Sequence, residues 1–148
     1  MRITRAAPGD AAALATLAAA ALPEPWSEAA FAEEIARPEA RVWVGRGAAG
    51  EAVGYLAARR VLDELEVLSL AVAEGQRRAG AGRALVAHAL ASEPGLRVVQ
   101  LEVRGNDAAA QAFYARVGFR AVGRRRGFYR DGVDALLLSL SAPAAPTR

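Results

Sequence analysis

The 148-residue sequence contains no cysteine and only one histidine, and these two shortages exclude several kinds of site. Without thiols the chain forms no disulfide bond, thiolate metal centre or cysteine nucleophile. A multi-histidine metal centre is excluded as well, because His88 stands alone. We therefore expect chemistry that uses no metal.

Long apolar runs are also lacking. No stretch approaches the roughly 20 residues that a membrane span needs, and the N-terminal residues show no secretory pattern. The length suits one domain with its own core. We expect a single domain over residues 1–140, a flexible C-terminal tail over residues 141–148, a cytoplasmic location and no membrane contact.

Lysine is absent, so all 19 basic residues are arginines. The sequence pI is about 10.1, but the formal net charge at pH 7 is only +3. So small an excess of charge does not indicate a nucleic acid partner. We expect the arginines at 124–126 and Arg130 to be solvated at the tip of a hairpin.

Hydrophobic periodicity predicts eleven elements in the order β-α-α-β-β-β-α-β-α-β-β. This order defines an α/β layered fold with a mixed sheet. The predicted strands cover residues 2–6, 41–45, 53–61, 65–73, 97–103, 119–125 and 133–140. The predicted helices cover residues 11–22, 27–36, 81–91 and 108–117.

Capping residues support the helix boundaries. Asp10, Ser27 and Asp107 stand where an N-cap is needed, and Gly118 stands where a left-handed C-terminal glycine is typical. A hydrophobic staple between Trp26 and Phe31 is predicted beside Ser27.

The stretch from Glu74 to Leu85 is the main functional signal. It connects a predicted strand to a predicted helix through a turn that contains Gly80 and Gly82, an arrangement that points unpaired backbone N–H groups at a phosphate. Glycine lets a diphosphate approach the main chain closely. Nearby arginines add positive charge there, namely Arg77, Arg78 and Arg83.

Two nucleotide-binding motifs do not fit this stretch. A P-loop ends in Gly-Lys-Ser/Thr, whereas this loop ends in Gly82-Arg83-Ala84. A dinucleotide fingerprint needs a third glycine where Leu85 stands. The remaining pattern, Arg-x-x-Gly-x-Gly over residues 77–82, resembles the pyrophosphate loop of the GNAT superfamily of N-acetyltransferases, which binds acetyl-CoA.

A second segment carries the same resemblance. Leu101-Glu102-Val103-Arg104, followed by residues 108–119, is similar to the second cofactor segment of that superfamily. Shorter matches at residues 25–28, 61–64 and 125–129 resemble the branch that acetylates the N-terminal alanine of a small-subunit ribosomal protein. The similarity extends over about residues 25–140.

The resemblance implies a mostly antiparallel sheet flanked by helices, with two central strands, residues 65–73 and 97–103, that splay apart at their ends. Acetyl-CoA would enter between them as cosubstrate. The implied cofactor-binding residues are Leu70, Ala71, Val72, Arg77, Arg78, Ala79, Gly80, Ala81, Gly82 and Arg83. The family commonly has asparagine at the start of the following helix; here Asp107 holds that position with Asn106 beside it, so either residue is a candidate for that cofactor contact.

The resemblance also implies the catalytic groups, with Glu102 as general base and Tyr114 as general acid. Strand alternation places Glu102 on the face opposite Leu101 and Val103, so its carboxylate must meet solvent or a polar cleft. Glu66 is a rival base, because other branches of the superfamily keep a glutamate there. The implied acceptor is a protein or peptide N-terminus. The alternatives are another protein amine or a small-molecule amine, or acetyl-CoA binding without catalysis.

Overall fold

The computed structural model describes residues 1–142, without the side chains of Arg78 and Ala79. Most of the predicted tail lies outside the described residues. The strands are β1 (Arg2–Arg5), β2 (Ala40–Arg46), β3 (Ala52–Val61), β4 (Glu64–Val72), β5 (Val98–Arg104), β6 (Arg120–Arg125) and β7 (Ala135–Ser141). The α-helices are α1 (Ala11–Ala21), α2 (Glu28–Ile35), α3 (Ala81–Ser92) and α4 (Ala108–Val117).

The predicted order of strands and α-helices is confirmed, and most boundaries differ by only one or two residues. The fold is α/β, with a seven-stranded, mostly antiparallel sheet flanked by helices. Two short 3-10 helices, Pro8–Asp10 and Glu74–Ala79, were not predicted. Within residues 1–142, no helix combines the length and the apolar character needed to cross a membrane.

The chain divides into two compact units that interleave in sequence. The first contains Met1–Val61 and Val67–Pro94, and the second contains Leu62–Glu66 and the chain from Gly95 onward. Strand β4 therefore contributes its start to the second unit and its longer remainder to the first.

In the first unit the strands follow the order β1-β2-β3-β4, and β2 pairs antiparallel with both of its neighbours. Val42 and Val44 belong to a buried cluster that includes Leu14 of α1 and Phe31 of α2. Because side chains alternate along a strand, Trp43 points to the opposite face, where its ring meets His88 of α3 at 6.2 Å. Helices therefore cover both faces of this sheet region.

The loop before α2 has the predicted cap and staple. The Ser27 hydroxyl accepts a hydrogen bond from the Ala30 N–H at 3.1 Å, and the Trp26 and Phe31 rings lie 5.2 Å apart. Asp10 stands at the N-cap position of α1, as predicted, but its side chain makes no capping hydrogen bond to the helix. Its carboxylate accepts from the Ala7 N–H and from the Arg46 guanidinium instead, because the 3-10 turn directs it away from α1.

In the second unit β5 lies between the start of β4, to which it is parallel, and β7, to which it is antiparallel. Strand β6 completes the order by pairing with β7. Helix α4 connects β5 to β6 and has both predicted caps. The Asp107 carboxylate accepts from the Ala110 N–H at 3.0 Å, and Gly118 adopts a φ of +117°.

A buried ion pair anchors α2 to β3. The Glu34 side chain is only 7% exposed and receives two hydrogen bonds from the Arg59 guanidinium, at 2.9 and 2.6 Å. These hydrogen bonds hold the pKa of the Glu34 carboxyl below its ordinary value of 4.5. Because the folded-state pKa is the lower one, the pair contributes stability that is present above pH 4.5 and is lost as the pH falls through the folded pKa.

We predict that Glu34→Gln lowers the free energy of unfolding by about 1–3 kcal/mol at pH 7, since it removes a charged partner of Arg59. The deficit relative to the wild type should shrink as the pH falls below about 4.5, where the carboxyl of the unfolded chain takes up a proton, and should disappear below the lower folded-state pKa, where the native carboxyl is neutral as well. Urea unfolding at several pH values measures both effects. Glu33→Gln is the matched control, because Glu33 is an exposed neighbour in the same helix. An equal loss in both variants would contradict the assignment.

Candidate active site

Strands β4 and β5 pair only near their beginnings, as predicted. Their parallel register runs from Glu64 opposite Val98 to Glu66 opposite Gln100. Beyond this point β4 continues to Val72 and β5 to Arg104 without further pairing of the two. One edge of the later part of β4 therefore offers main-chain hydrogen-bonding groups of the kind that an extended ligand can use.

The predicted cofactor residues of β4 lie at its end. Leu70 is half-buried, whereas Ala71 and Val72 are buried. In the neighbouring strand the buried Tyr55 hydroxyl lies 2.7 Å from the Ser69 hydroxyl, and burial raises the pKa of Tyr55. This contact ties β3 to β4 one residue before Leu70. Sequence reasoning missed it, because alternation alone does not reveal which residues of neighbouring strands face each other.

The glycine-containing loop forms a short 3-10 helix, Glu74–Ala79, followed by a left-handed residue and then α3. Gly80 is that residue, with a φ of +81°. It also occupies the N-cap position of α3, where it has no side chain with which to cap the helix. The first backbone N–H groups of α3 are therefore suited to an anionic ligand.

The predicted arginines of this loop differ in their surroundings. The Arg77 Nε donates a hydrogen bond to the Val72 carbonyl at 3.1 Å and so ties the 3-10 helix to the end of β4. Arg83 is exposed in the first turn of α3, near the buried Ala81 and Gly82. The side chains predicted to contribute at Arg78 and Ala79 lie outside the described part of the structure.

Glu102, the predicted base, lies in the middle of β5 with its side chain 28% exposed. Its neighbours at Leu101 and Val103 are buried on the other face, as alternation predicted. The Arg125 Nε lies 3.3 Å from the Glu102 Oε1. Glu66, the rival base, is exposed, and its register with Gln100 puts it on the same face as Glu102.

The hairpin arginines 124–126 and Arg130 are exposed, as predicted, but two of them also pair with carboxylates. Arg125 pairs with Glu102, and Arg124 donates to the Asp134 carboxylate at 2.8 Å. These two pairings could not be predicted from the sequence, because the β6–β7 register contains an irregularity between Ala121 and Gly123 that determines which residues are opposite each other.

Tyr114, the predicted acid, is half-buried in α4. Its ring lies 5.0 Å from the Phe113 ring and 5.3 Å from the Phe119 ring, and its carbonyl accepts hydrogen bonds from the N–H groups of Gly118 and Phe119. The left-handed turn at Gly118 thus folds the chain back onto Tyr114. Both catalytic candidates, Glu102 and Tyr114, belong to the second unit.

The two candidates at the start of α4 have different roles in the structure. The Asp107 carboxylate is engaged in capping the helix. Asn106 is exposed immediately before it.

Comparisons with known proteins identify the class. A sequence profile of the Acetyltransferase (GNAT) family matches residues 11–119. The chain therefore belongs to the GNAT family and is an acetyl-CoA-dependent N-acetyltransferase. The enzyme class predicted from the two sequence motifs is confirmed.

Within that class, several of the similar proteins are named N-alpha-acetyltransferases or alanine N-acetyltransferases. The chain is 40% identical over 117 residues to the N-alpha-acetyltransferase RimI of Mycobacterium tuberculosis, covering 76% of this chain and 73% of the relative. It is 33% identical over 121 residues to the ribosomal protein bS18-alanine N-acetyltransferase of Escherichia coli strain K12, covering 78% and 80%. The crystal structure of the ribosomal-protein-S18-alanine N-acetyltransferase from Escherichia coli superposes with a TM-score of 0.86 at 30% identity, covering 98% and 96%.

The left-handed conformation of Gly80 gives a testable prediction. Gly80→Ala should lower the free energy of unfolding by about 1–2 kcal/mol, because a Cβ is strained at positive φ even where space is open. Gly75→Ala is the matched control: the same loop places Gly75 in open space, and its φ is not positive. Equal unfolding midpoints for the two variants in urea would contradict this account.

Proposed function

We propose that this chain transfers the acetyl group of acetyl-CoA to the N-terminal α-amine of a protein, with an N-terminal alanine of a ribosomal protein as the favoured acceptor. The observation that carries the proposal is the match to the bS18-alanine N-acetyltransferase of Escherichia coli, which extends over nearly the whole of both chains. Glu102 and Tyr114 supply the chemistry that such a transfer requires.

The residues of the first unit fit acetyl-CoA. Its thioester supplies an activated acetyl group with a thiolate leaving group. The edge of β4 at Leu70–Val72 would pair with its amide groups, and the N–H groups at the start of α3 would hold its pyrophosphate. Arg77, Arg78 and Arg83 would add charge there. Of the two candidates at α4, we assign the side-chain contact to Asn106, because Asp107 is engaged as a cap.

Glu102 would act on the acceptor. A free α-amine has a pKa of about 7.7–8.0 and is therefore largely protonated at neutral pH, whereas only the neutral amine attacks a thioester. A carboxylate in mid-strand can take that proton directly or through a water molecule. Once the amine is neutral, holding it beside the thioester supplies much of the rate.

Tyr114 would act on the leaving group. A simple thiol has a pKa of about 8.5 and a phenol one of about 10, so a phenol can donate a proton to a departing thiolate with little mismatch. The Tyr114 ring contacts the rings of Phe113 and Phe119, which restrict its movement. The chain itself forms no covalent bond in this scheme.

We predict that Glu102→Gln lowers kcat/KM for an alanine-initiated peptide by about 10²–10⁴-fold at pH 7, the usual contribution of a general base. Activity should recover in part above about pH 8, where the free amine is already neutral. Steady-state kinetics as a function of pH measures both. Glu66→Gln is the comparison variant. A large loss in Glu66→Gln with none in Glu102→Gln would exchange the two assignments.

Tyr114→Phe should lower kcat by about 10²-fold or more while the affinity for acetyl-CoA stays within about twofold of the wild type, because only the proton donor is removed. Calorimetric titration with acetyl-CoA supplies the binding half of this measurement. Weakened binding with an unchanged kcat would instead show that the hydroxyl holds the cofactor.

The acceptor is tested with a panel of amines and mass spectrometry of the products. Peptides that begin with alanine should be acetylated at the α-amine, whereas N-terminally blocked peptides containing lysine, polyamines and aminoglycosides should not. Transfer to lysine or to the small amines, with none to the α-amine, would favour the alternative acceptors. Binding of acetyl-CoA without turnover of any amine would favour a non-catalytic role.

A further inference from the structure

We propose that Arg125 occupies the place of the acceptor's cation on Glu102 in the free enzyme and is displaced when the acceptor's ammonium group binds. Arg125 is then a positioning residue that tunes the apparent affinity for the acceptor. The inference rests on the proposed function, because it takes Glu102 to be the group that receives the amine.

The sheet register explains how Arg125 reaches Glu102 across a strand. Arg125 of β6 lies opposite Ala135 of β7, and Ala135 lies opposite Arg104 of β5. Glu102 is two residues before Arg104 and therefore on the same face. Because Ala135 has only a methyl side chain, the Arg125 side chain can extend over β7 and bring its Nε within 3.3 Å of the Glu102 Oε1.

A second arginine on this face, Arg104, is engaged elsewhere. Arg104 pairs with Asp131, and its guanidinium lies 4.3 Å from the centre of the Tyr129 ring. Arg125 is thus the arginine that the structure pairs with Glu102.

The Arg125–Glu102 pair has the character of an exchangeable contact. The Arg125 side chain is 57% exposed and the Glu102 side chain 28%, whereas the structural pair of Arg59 with Glu34 has two short hydrogen bonds to a carboxylate that is 7% exposed. A partly exposed, single-contact ion pair contributes little free energy and is screened by salt. An incoming cation can therefore replace the guanidinium at small cost.

In the same position Arg125 also lies near an aromatic ring. Its guanidinium carbon lies 5.6 Å from the centre of the Phe128 ring, and Phe128 is itself 49% exposed. A guanidinium released from Glu102 can stay over this ring through a cation–π contact. The acceptor ammonium can then bind the Glu102 carboxylate while the Arg125 guanidinium remains nearby.

The displacement model makes an unusual kinetic prediction. Arg125→Gln removes the competing cation, so KM for an alanine-initiated peptide should fall, by at most about fivefold because the pair is weak, while kcat changes by less than about twofold. Arg125→Lys should keep a KM close to that of the wild type. Arg126→Gln is the matched control, since it removes the same charge from the exposed neighbouring residue and should leave KM unchanged.

A rescue experiment separates competition from a general effect of charge. In Arg125→Ala, added methylguanidinium should raise the peptide KM back towards the wild-type value, because it can rebind Glu102. The wild type should respond much less to the same addition. A higher KM in Arg125→Gln, an equal change in Arg126→Gln, or no response to methylguanidinium would each overturn the proposal.

The failure of this inference is distinguishable from failure of the proposed function. If Glu102→Gln is nearly inactive while Arg125→Gln leaves the peptide KM unchanged, only the displacement model is overturned. If Glu102→Gln keeps full activity, Glu102 is not the base and the displacement model fails with that assignment, whereas the proposed function fails only if the α-amine of the peptide is not acetylated. In support of both, Arg125→Gln should have no further effect on KM in a Glu102→Gln background, because the two side chains act through one contact.

Discussion

The short pairing of β4 with β5 is the constraint on which the rest of the site depends. Main-chain N–H and C=O groups are normally paired inside a sheet, so a strand that loses its partner after Glu66 retains unused hydrogen-bonding capacity along one edge. Under the proposed function, the amide groups of acetyl-CoA would pair with this edge in place of a neighbouring strand. The glycine loop follows directly, because β4 runs through a 3-10 turn into Gly80 and the start of α3. In this proposal, the strand edge for the amides of acetyl-CoA and the helix start for its phosphates belong to one continuous segment of the chain.

The arginines of this chain form two kinds of ion pair with carboxylates. Glu34 and Asp10 each receive two hydrogen bonds from one guanidinium, and Glu93 contacts both Arg41 and Arg60. These contacts join elements of the fold, since the planar guanidinium matches a carboxylate in a fixed geometry. The contact of Arg125 with Glu102 is looser and more exposed, as suits the proposed role of Glu102 towards the acceptor amine. Burial and the number of contacts, rather than residue type, distinguish a structural pair from a functional one.

Helix α4 shows how local and long-range structure combine at the position of the proposed general acid. The Asp107 cap and the left-handed Gly118 are local features that set the length of the helix. Phe119, which immediately follows, is buried and turns back against the Tyr114 ring. None of the residues of α4 is itself buried, so the helix relies on its caps and on this aromatic contact. The proposed proton donor is held by the same turn that begins β6.

The sequence by itself determined the order of the elements, the helix boundaries at Ser27, Asp107 and Gly118, and the family. These depend on local periodicity, capping residues and motif spacing, each of which involves only residues that are close together in the sequence. Only the tertiary structure decided that Arg125 reaches Glu102, that the Tyr55 hydroxyl meets Ser69, and that the Asp10 carboxylate binds Arg46. Each of these contacts joins residues that are distant in sequence, and each depends on a strand register or a turn geometry. Such registers arise from packing over the whole sheet, and no local stretch of sequence encodes them.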